Sequence, residues 1–332
     1  MRDEQVPDRN VAMELVRTTE AAALAAARWV GRGDKNSADG AAVAAMRMML
    51  DTVDMDGLIV IGEGVKDEAP MLYNGERVGN GNGPKMDVAV DPLEGTRLTA
   101  MGLPGAVSVI ACAPRGTLFN PYDIFYMEKI AVGPEARGKV DISAPVAWNI
   151  EQVAKAKGIQ VGEVTVIILD RDRNTEIADK VRAAGARIRF ITDGDAPAAV
   201  SAAIAGSGVD MMLGIGGSPE GVVGAAALKC LEADFQGKLW ARNDDDRKLA
   251  AEKGLDMDKV LTIDDLVKSD DVMFACSGVT TGALLKGVEY FAGGARSESL
   301  VMRSRSGTVR RITTEHHWRK LQQISGEMYR EG

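Results

Sequence analysis

Histidine and cysteine are scarce in this chain of 332 residues. The only two histidines, His316 and His317, are adjacent, and they cannot by themselves supply the ligands of a zinc site. The three cysteines, Cys112, Cys230 and Cys276, show no Cys-x-x-Cys spacing and lie among apolar residues. We therefore expect reduced core cysteines, and neither zinc chemistry nor a disulfide framework.

Membrane and nucleic-acid signals are also missing. The sequence contains no apolar run of the roughly 18 residues that a membrane span requires, and its first residues do not form a signal-peptide core. The net charge is −8, with no basic stripe bearing interleaved aromatic residues. These features predict a cytoplasmic protein without a membrane or nucleic-acid partner.

Three well-known active-site motifs are absent as well. There is no Gly-x-Ser-x-Gly elbow, no Gly-x-x-x-x-Gly-Lys-Ser/Thr loop and no clean Gly-x-Gly-x-x-Gly fingerprint. Serine-triad, P-loop and dinucleotide chemistry are all disfavoured by these absences. Carboxylates, lysines, arginines and threonines remain to carry any reaction.

The composition, with 45% hydrophobic and 27% charged residues, is that of a globular protein. At roughly 150 residues per domain, the length predicts two tightly packed parts. We place them at residues 1–145, an α+β part, and 146–332, an α/β part.

The first part begins with alanine-rich segments. Apolar positions at helical spacing predict a long helix from about residue 10 to 30, ended by Gly31 and Gly33, and a second helix near Asp39. The Gly/Asn-rich segment 80–84 predicts a hairpin or surface loop. Strands are predicted at 58–61, 88–90 and 106–113.

The second part alternates strands and helices. Strands are predicted at 164–169, 188–191 and 209–213, with helices starting at Asn174, Ala196 and Pro219. This alternation indicates an α/β arrangement with parallel strands. The turns after these strands, at 170–173, 192–195 and 214–218, are expected to line one site, because ligands bind at the carboxyl ends of such strands.

The rest of the chain, after about residue 240, returns to the sheet. Residues 240–269 are charged and predicted to be helix or loop, followed by a strand at 272–276. Residues 300–302 and 308–311 are predicted to form a closing hairpin.

The segment from Asp91 to Thr96 carries the strongest chemical signal. It follows a short apolar strand and contains two carboxylates, Asp91 and Glu94, around the rigid Pro92, with Gly95 permitting a tight bend before Thr96. Crowded carboxylates suit hard cations such as Mg²⁺ or Mn²⁺. The segment therefore predicts a metal site, although an Asp-Pro turn whose acids cap the next segment is the simpler alternative.

Three further carboxylates lie beside glycine or at a predicted helix start. Glu63 stands between two glycines after an apolar strand, which favours a functional role. Asp39 could be only a helix N-cap, and Glu220 could simply stabilise the positive end of its helix. If all of these carboxylates converge, their repulsion implies two or more bound divalent ions.

Several long motifs in order resemble the class II, GlpX-type fructose-1,6-bisphosphatases over nearly the whole chain. The Asp-Pro-Leu-Glu-Gly-Thr segment by itself also resembles the signature of the metal-dependent, lithium-sensitive phosphatase superfamily that includes inositol monophosphatases. The motifs lie at 33–40, 61–64, 67–73, 90–96, 126–129, 193–195 and 214–223.

The resemblance implies a layered α-β-α-β-α sandwich and the hydrolysis of fructose 1,6-bisphosphate to fructose 6-phosphate, a step of gluconeogenesis. It implies that two or three Mg²⁺ or Mn²⁺ ions activate a water molecule and stabilise the leaving oxygen, without a phosphoenzyme. Thr96 matches the hydroxyl that orients this water, and we expect Asp67 to be its acidic partner, with a surface-loop carboxylate as the alternative. The metal ligands that the resemblance implies are Asp39, Glu63, Asp91, Glu94 and Glu220.

The resemblance also implies that residues 1–145 form the metal-binding part and residues 146–332 the sugar-phosphate-binding part, and it implies the substrate contacts. The backbone of Glu94, Gly95 and Thr96 is expected at the scissile phosphate, with Lys35 as a point charge. Arginine forks suit the distal phosphate, and carboxylates suit sugar hydroxyls. The remaining contacts that it implies are Tyr126, Arg171, Arg173, Asp193, Gly194, Asp195 and Gly217.

One departure from the family pattern concerns the distal phosphate. Where the family commonly has Arg-Pro-Arg-His, this chain has Arg171-Asp172-Arg173-Asn174. An inward-facing Asp172 would weaken phosphate binding, whereas an outward-facing Asp172 would leave it intact or fix an arginine.

Two alternatives to a strict fructose-bisphosphatase remain open. A broader bisphosphatase would also accept sedoheptulose 1,7-bisphosphate or inositol phosphates, because one extra carbon is weakly discriminated in an open polar site. A non-catalytic sugar-phosphate sensor on the same α/β sheet is disfavoured by the complete carboxylate set and Thr96. The apolar, methionine-rich helices and the habit of the family suggest a homodimer or homotetramer.

Overall fold

The computed structural model describes residues 10–64, 71–122 and 124–325. Two mixed β-sheets and the helices that cover and separate them form the protein. The strands are β1 (Asp56–Ile61), β2 (Arg77–Val78), β3 (Lys85–Glu94), β4 (Val107–Pro114), β5 (Tyr126–Val132), β6 (Thr165–Leu169), β7 (Arg187–Ile191), β8 (Met211–Gly217), β9 (Asp234–Trp240), β10 (Leu261–Thr262), β11 (Met273–Gly278), β12 (Glu289–Phe291), β13 (Gly294–Arg303) and β14 (Thr308–His317).

The α-helices of the described ranges follow or precede these strands. They are α1 (Ala12–Ala27), α2 (Lys35–Leu50), α3 (Thr96–Met101), α4 (Val146–Lys157), α5 (Thr175–Ala183), α6 (Asp195–Ala203), α7 (Ser218–Cys230), α8 (Asp244–Glu252), α9 (Ile263–Leu266) and α10 (Trp318–Ser325). None of the helices in the described ranges is long and apolar enough to cross a membrane.

The first sheet has eight strands in the order β12-β13-β11-β4-β3-β1-β2, with β14 paired to β13. Strands β1 and β3 are parallel, and β3, β4, β11, β13 and β14 pair antiparallel. The predicted closing hairpin is confirmed by β13 and β14. The Gly/Asn segment 80–84 joins β2 to β3, which lie on opposite sides of β1, and it is therefore a loop and not a hairpin.

The second sheet has the order β10-β9-β5-β8-β6-β7. Strands β6, β7 and β8 are parallel, as the strand-helix alternation predicts. Strand β5 pairs antiparallel to β8, and β9 pairs antiparallel to β5; the sequence pattern revealed neither strand. The predicted α/β fold class is thus confirmed, with mixed instead of purely parallel sheets.

Five layers result from the packing of helices on these sheets. Helices α1 and α2 cover the outer face of the first sheet, and α4 and α5 cover the outer face of the second. Helices α6 and α7 lie between the sheets, in a continuous core of small and aliphatic side chains. Alanine-rich helices suit this central layer, because small side chains allow close approach to sheets on both sides. The predicted α-β-α-β-α sandwich is observed.

Strand membership crosses residue 145 in both directions. Strand β5 precedes that residue and belongs to the second sheet, whereas β11 to β14 follow it and belong to the first. The division of the chain into residues 1–145 and 146–332 stays a prediction. The three cysteines are buried and free, as predicted.

Candidate active site

A cavity of about 1080 Å³ opens where strands of both sheets end. Lys35 and Asp172 are exposed and do not line it, and Asp67 lies outside the described residues. The other predicted site residues all line this cavity: Asp39, Glu63, Asp91, Glu94, Gly95, Thr96, Tyr126, Arg171, Arg173, Asp193, Gly194, Asp195, Gly217 and Glu220.

The end of β3 places two carboxylates in the cavity. The pairing of β3 with β4 shifts its register between Asp91 and Glu94, and such bulges re-aim side chains. The backbone N–H of Leu93 donates to Asp91 Oδ1 at 3.0 Å. Gly95 then adopts a φ of +92°, a left-handed conformation that favours glycine, and Thr96 becomes the first residue of α3.

Asp39 reaches the cavity from within a helix. Helix α2 is capped by Asp34, whose side chain accepts from Ser37 N at 3.0 Å. Asp39 is the fifth residue of this helix, so the alternative that it serves only as an N-cap is wrong. Glu63 follows the last residue of β1 by two positions and is half-buried in the same cavity.

Glu220 enters at the start of α7, next to the end of β3. Gly217 is the N-cap of α7, and a Cβ atom at Gly217 would collide with the Glu220 carboxylate. The glycine is therefore required for Glu220 to fold back over the helix start. Oxygen atoms of Asp91, Glu94 and Glu220 consequently lie within 4.8 Å of one another.

This carboxylate cluster is electrostatically incomplete. Burial, followed by repulsion from Asp91 and Asp39, raises the pKa of Glu63 to about 8. Burial, followed by repulsion from Glu220, raises the pKa of Asp91 to about 7. Burial, followed by repulsion from Asp91 and Glu220, also raises the pKa of Glu94. Crowded carboxylates of this kind require a neutralising charge.

A divalent cation fits this cluster. Within the described part of the chain, the buried atoms Glu94 Oε2 and Glu220 Oε2 have no hydrogen-bond partner, although buried polar atoms normally have one. Carboxylate oxygens are the ligands that Mg²⁺ and Mn²⁺ prefer. The donor set therefore suits a hard divalent cation, with Asp91, Glu94 and Glu220 as its nearest carboxylates.

Two arginines give another part of the cavity a positive charge, in contrast to the carboxylate cluster. Arg171 donates from Nη2 to Asp193 Oδ1 at 2.9 Å. Arg173 donates from Nε to the carbonyl of Ile215 at 2.9 Å, and its guanidinium lies 4.3 Å from the ring centroid of Tyr126. These contacts hold both guanidinium groups in fixed orientations, which suits recognition of a phosphate group.

Asn174 anchors the loop that carries these two arginines. Its buried amide donates to the carbonyls of Leu169 and Ile215, and its oxygen accepts from Ile215 N at 2.7 Å. Asn174 thereby ties the end of β6 to β8, and Asp172 points to solvent. The role of Asn174 was missed because its partners are distant in sequence.

Lys129 was also missed as a site residue. It lies in β5 with 1% of its surface exposed, and its ammonium group donates to Asp195 Oδ2 at 2.5 Å. The available signal was a lysine in the segment 127–132, in which Glu128 is the only other polar residue. A buried lysine without a partner would be very costly, so an acidic partner could have been inferred, though not identified.

Fold and site together define a phosphatase that uses divalent cations, because one α/β cavity combines a carboxylate cluster that suits a divalent cation with two arginines that suit a phosphate group. The family model described as bacterial fructose-1,6-bisphosphatase, glpX-encoded, matches residues 9–316. The chain therefore belongs to this class II family of bacterial fructose-1,6-bisphosphatases.

Individual relatives agree with this assignment. The chain is 45% identical over 322 residues to fructose-1,6-bisphosphatase 1 class 2 of Escherichia coli K12, covering 93% of this chain and 96% of that protein. The identity and both coverages are the same for the comparison with fructose-1,6-bisphosphatase class 2 of Shigella flexneri. Among solved structures, the extragenic suppressor protein suhB of Bartonella henselae aligns with 16% identity and a TM-score of 0.34, covering 59% of this chain and 74% of that chain. That structural likeness is too low to carry an argument.

Proposed function

We propose that the protein hydrolyses the 1-phosphate of fructose 1,6-bisphosphate to give fructose 6-phosphate and inorganic phosphate. The observation that carries this proposal is the shared cavity, in which Asp91, Glu94 and Glu220 face the same space as Arg171 and Arg173. An enzyme that acts on a bisphosphate needs one set of side chains for the phosphate that is cleaved and another for the phosphate that stays on the sugar. The carboxylates, through bound cations, suit the first phosphate, and the arginines suit the second.

Five carboxylates are proposed to hold two or more Mg²⁺ or Mn²⁺ ions. When bound, such ions polarise the phosphoryl group and activate water. The unpartnered oxygens of Glu94 and Glu220 and the raised pKa of Glu63 support this assignment. The proposed ligands are Asp39, Glu63, Asp91, Glu94 and Glu220.

Thr96 is proposed to orient the attacking water. Thr96 lines the cavity directly after Glu94 and Gly95, at the first position of α3. The backbone of this segment and the positive end of a helix are suited to hold the transferring phosphate. Asp67 stays a proposal as the acidic partner of Thr96, and Lys35 as a point charge near the scissile phosphate.

The sugar and the distal phosphate are proposed to bind at the second sheet. Arg171 and Arg173 would hold the phosphate, and Asp193 and Asp195 would accept hydrogen bonds from sugar hydroxyls. Buried atoms of both aspartates, Asp193 Oδ2 and Asp195 Oδ1, have no protein partner within the described ranges, which supports this assignment. Tyr126, Gly194 and Gly217 line the same part of the cavity.

The decisive experiment is phosphate release from fructose 1,6-bisphosphate by the purified protein with Mn²⁺, with Mg²⁺ and with excess EDTA. We expect one phosphate per sugar, release only with a divalent cation, and fructose 6-phosphate as the product. No release with either cation would refute the proposed reaction. Release of the 6-phosphate would instead reverse the proposed orientation of the substrate.

Substrate breadth is a separate matter. The open cavity of about 1080 Å³ has room for a longer sugar, so we propose that sedoheptulose 1,7-bisphosphate is also accepted. A competition assay between the two bisphosphates would measure the ratio of their kcat/KM values.

We also propose that the protein belongs to the lithium-sensitive superfamily, on the basis of the sequence from Asp91 to Thr96. Inhibition by Li⁺ that Mg²⁺ relieves would support this placement, and equal activity in LiCl and KCl would oppose it.

Oligomerisation and location are further proposals. Met48 and Met101 are 49% and 58% exposed, as is common at surfaces that associate, so a homodimer or homotetramer is proposed. Light scattering on the purified protein tests this proposal. A cytoplasmic location, consistent with the free cysteines, is tested by cell fractionation.

A further inference from the structure

Lys129 is the largest fully buried side chain of the described residues. Its Nζ donates to Asp195 Oδ2 at 2.5 Å and to the carbonyl oxygen of Gly217 at 2.7 Å. A buried ammonium group carries a high desolvation cost, and two strong acceptors offset it. Because of this desolvation cost, Lys129 does not act as a solvent-exposed surface charge.

The two acceptors belong to different elements of the site. Asp195 is the first residue of α6, and Gly217 ends β8 and caps α7, the helix that carries Glu220. Lys129 itself is central in β5, which pairs with β8. The ammonium group therefore joins three elements at the point where they meet the cavity.

The position of Asp195 depends on its ion pair with Lys129. A Cβ atom at Gly216 would collide with its carboxylate, so the glycine leaves room for Asp195 to reach Lys129. With Oδ2 engaged by Lys129, the other oxygen, Oδ1, is buried without a protein partner within the described ranges. Asp195 lines the cavity, so Oδ1 is available to accept a hydrogen bond from a bound molecule.

Asp195 lines the same cavity as the proposed cation-binding carboxylates Asp91, Glu94 and Glu220. A carboxylate in that position could itself turn towards a divalent cation if nothing held it. The ion pair with Lys129 opposes that movement.

We propose that Lys129 is a positioning residue that holds Asp195 for a sugar hydroxyl and separates it from the cation-binding carboxylates Asp91, Glu94 and Glu220. The basis is geometric: one oxygen of Asp195 is fixed by the buried ammonium, and the other has no protein partner within the described ranges, in a residue that lines the cavity. Lys129 thereby determines which acidic side chains bind the substrate and which bind the cations. This inference rests on the proposed function.

The test is Lys129→Gln, with Lys229→Gln as a matched control. Lys229 also donates to one carboxylate and one carbonyl, those of Asp264 and Val267, both at 2.7 Å, but it lies outside the cavity. In K129Q we expect the KM for fructose 1,6-bisphosphate to rise about ten-fold or more, because Asp195 loses its fixed orientation. We expect kcat to change by less than about three-fold, and neither constant to change in K229Q.

A second readout separates positioning from a general loss of structure. Binding of Mn²⁺ alone is measured by electron paramagnetic resonance on the substrate-free protein after EDTA treatment and dialysis. K129Q retains every proposed cation ligand, so we expect Mn²⁺ affinity equal to or higher than that of the unchanged protein. A KM increase accompanied by a ten-fold loss of Mn²⁺ affinity would overturn the proposal, as would an unchanged KM.

A double variant covers the case in which K129Q does not fold. Lys129→Met combined with Asp195→Asn removes both charges of the pair and so leaves no unpaired buried charge. If Lys129 acts through Asp195, the KM of the double variant equals that of Asp195→Asn alone. A KM ten-fold above that of Asp195→Asn would show that Lys129 acts by another route and would refute the inference.

The proposed function and the inference fail in different ways. Absence of phosphate release by the unchanged protein would remove the function. Normal release by the unchanged protein, together with a KM for K129Q equal to that for K229Q, would remove only the inference.

Discussion

The two ends of the cavity are built on opposite principles. At the acidic end, oxygens of Asp91, Glu94 and Glu220 crowd within 4.8 Å, and burial raises the pKa of each. At the basic end, each arginine already has a protein acceptor: Arg171 binds Asp193, and Arg173 binds the Ile215 carbonyl.

The difference shows which end depends on something outside the chain. The acidic end is strained by like charges and reaches neutrality only with bound cations or protons. The basic end is preorganised, because its guanidinium groups are fixed before the substrate arrives. Removing charge at the acidic end should therefore affect catalysis, and removing charge at the basic end should affect binding.

Glu220→Gln should produce the largest change. It keeps the shape of the side chain but removes one of the three crowded carboxylates, so kcat/KM should fall by about 10³-fold or more with Mn²⁺ present. Glu176→Gln, also in the first turn of a helix but fully exposed, should have full activity. Steady-state kinetics measures both, and an active E220Q would remove the proposed cation role.

Thr96→Ala should lower kcat by roughly 10²- to 10³-fold while leaving KM within about three-fold. The reason is that a hydroxyl that orients water matters in the transition state and not in substrate binding. Thr96→Ser keeps the hydroxyl and should retain most of the activity. A T96A enzyme with normal turnover would contradict the assigned role.

Arg173→Ala should raise KM by about ten- to hundred-fold with a smaller change in kcat, because a fixed guanidinium is lost from the phosphate-binding end. Arg182→Ala is the control, since Arg182 is exposed on α5 and contacts Asp179 and the ring of Phe190, none of which lines the cavity. If R173A instead lowered kcat alone, the assignment of binding to the basic end would be wrong.

The acidic end should also make stability depend on pH in the metal-free protein. In the unfolded chain Glu63 ionises near its ordinary pKa of 4.5, whereas in the folded protein its pKa is about 8. The unfolded state therefore binds fewer protons between these values, so stability falls as pH rises from about 4.5 to about 8. Asp91, with an ordinary pKa of 3.8 and a folded pKa of about 7, adds the same trend at slightly lower pH.

Thermal unfolding in EDTA at about pH 5.5 and about pH 8 measures this effect. We expect a Tm several degrees lower at the higher pH, and a larger increase in Tm on adding Mn²⁺ there. Glu63→Gln should flatten the pH dependence. Equal Tm values at both pH values in EDTA would show that the acidic end carries no such repulsion.

Asp172→Asn should have the smallest effect. Asp172 is exposed beside Arg171 and Arg173 but outside the cavity, so KM should change by less than about two-fold. A ten-fold decrease in KM would show that the acidic side chain turns towards the phosphate in solution.

Much of the site was predictable because it is encoded by short segments. The turn from Asp91 to Thr96, the glycine-flanked Glu63 and the start of α7 each combine a strand end or helix start with a fixed pattern of glycine, proline and carboxylate. Such local patterns restrict the backbone directly. The prediction of site residues was weaker where a side chain forms hydrogen bonds to a partner far away in the sequence, as Asn174 does with Ile215.

Hydrophobic periodicity and turn residues act within a few positions, and they were enough to predict the α/β fold class, the parallel strands β6 to β8 and the closing hairpin. Long-range pairing, which the pattern does not contain, places β11 to β14 in the first sheet and β5 and β9 in the second. Only the tertiary structure brings Lys129 to Asp195, 66 positions away. Such pairings depend on the free energy of burying whole faces of helices and sheets, which no single segment of the sequence contains.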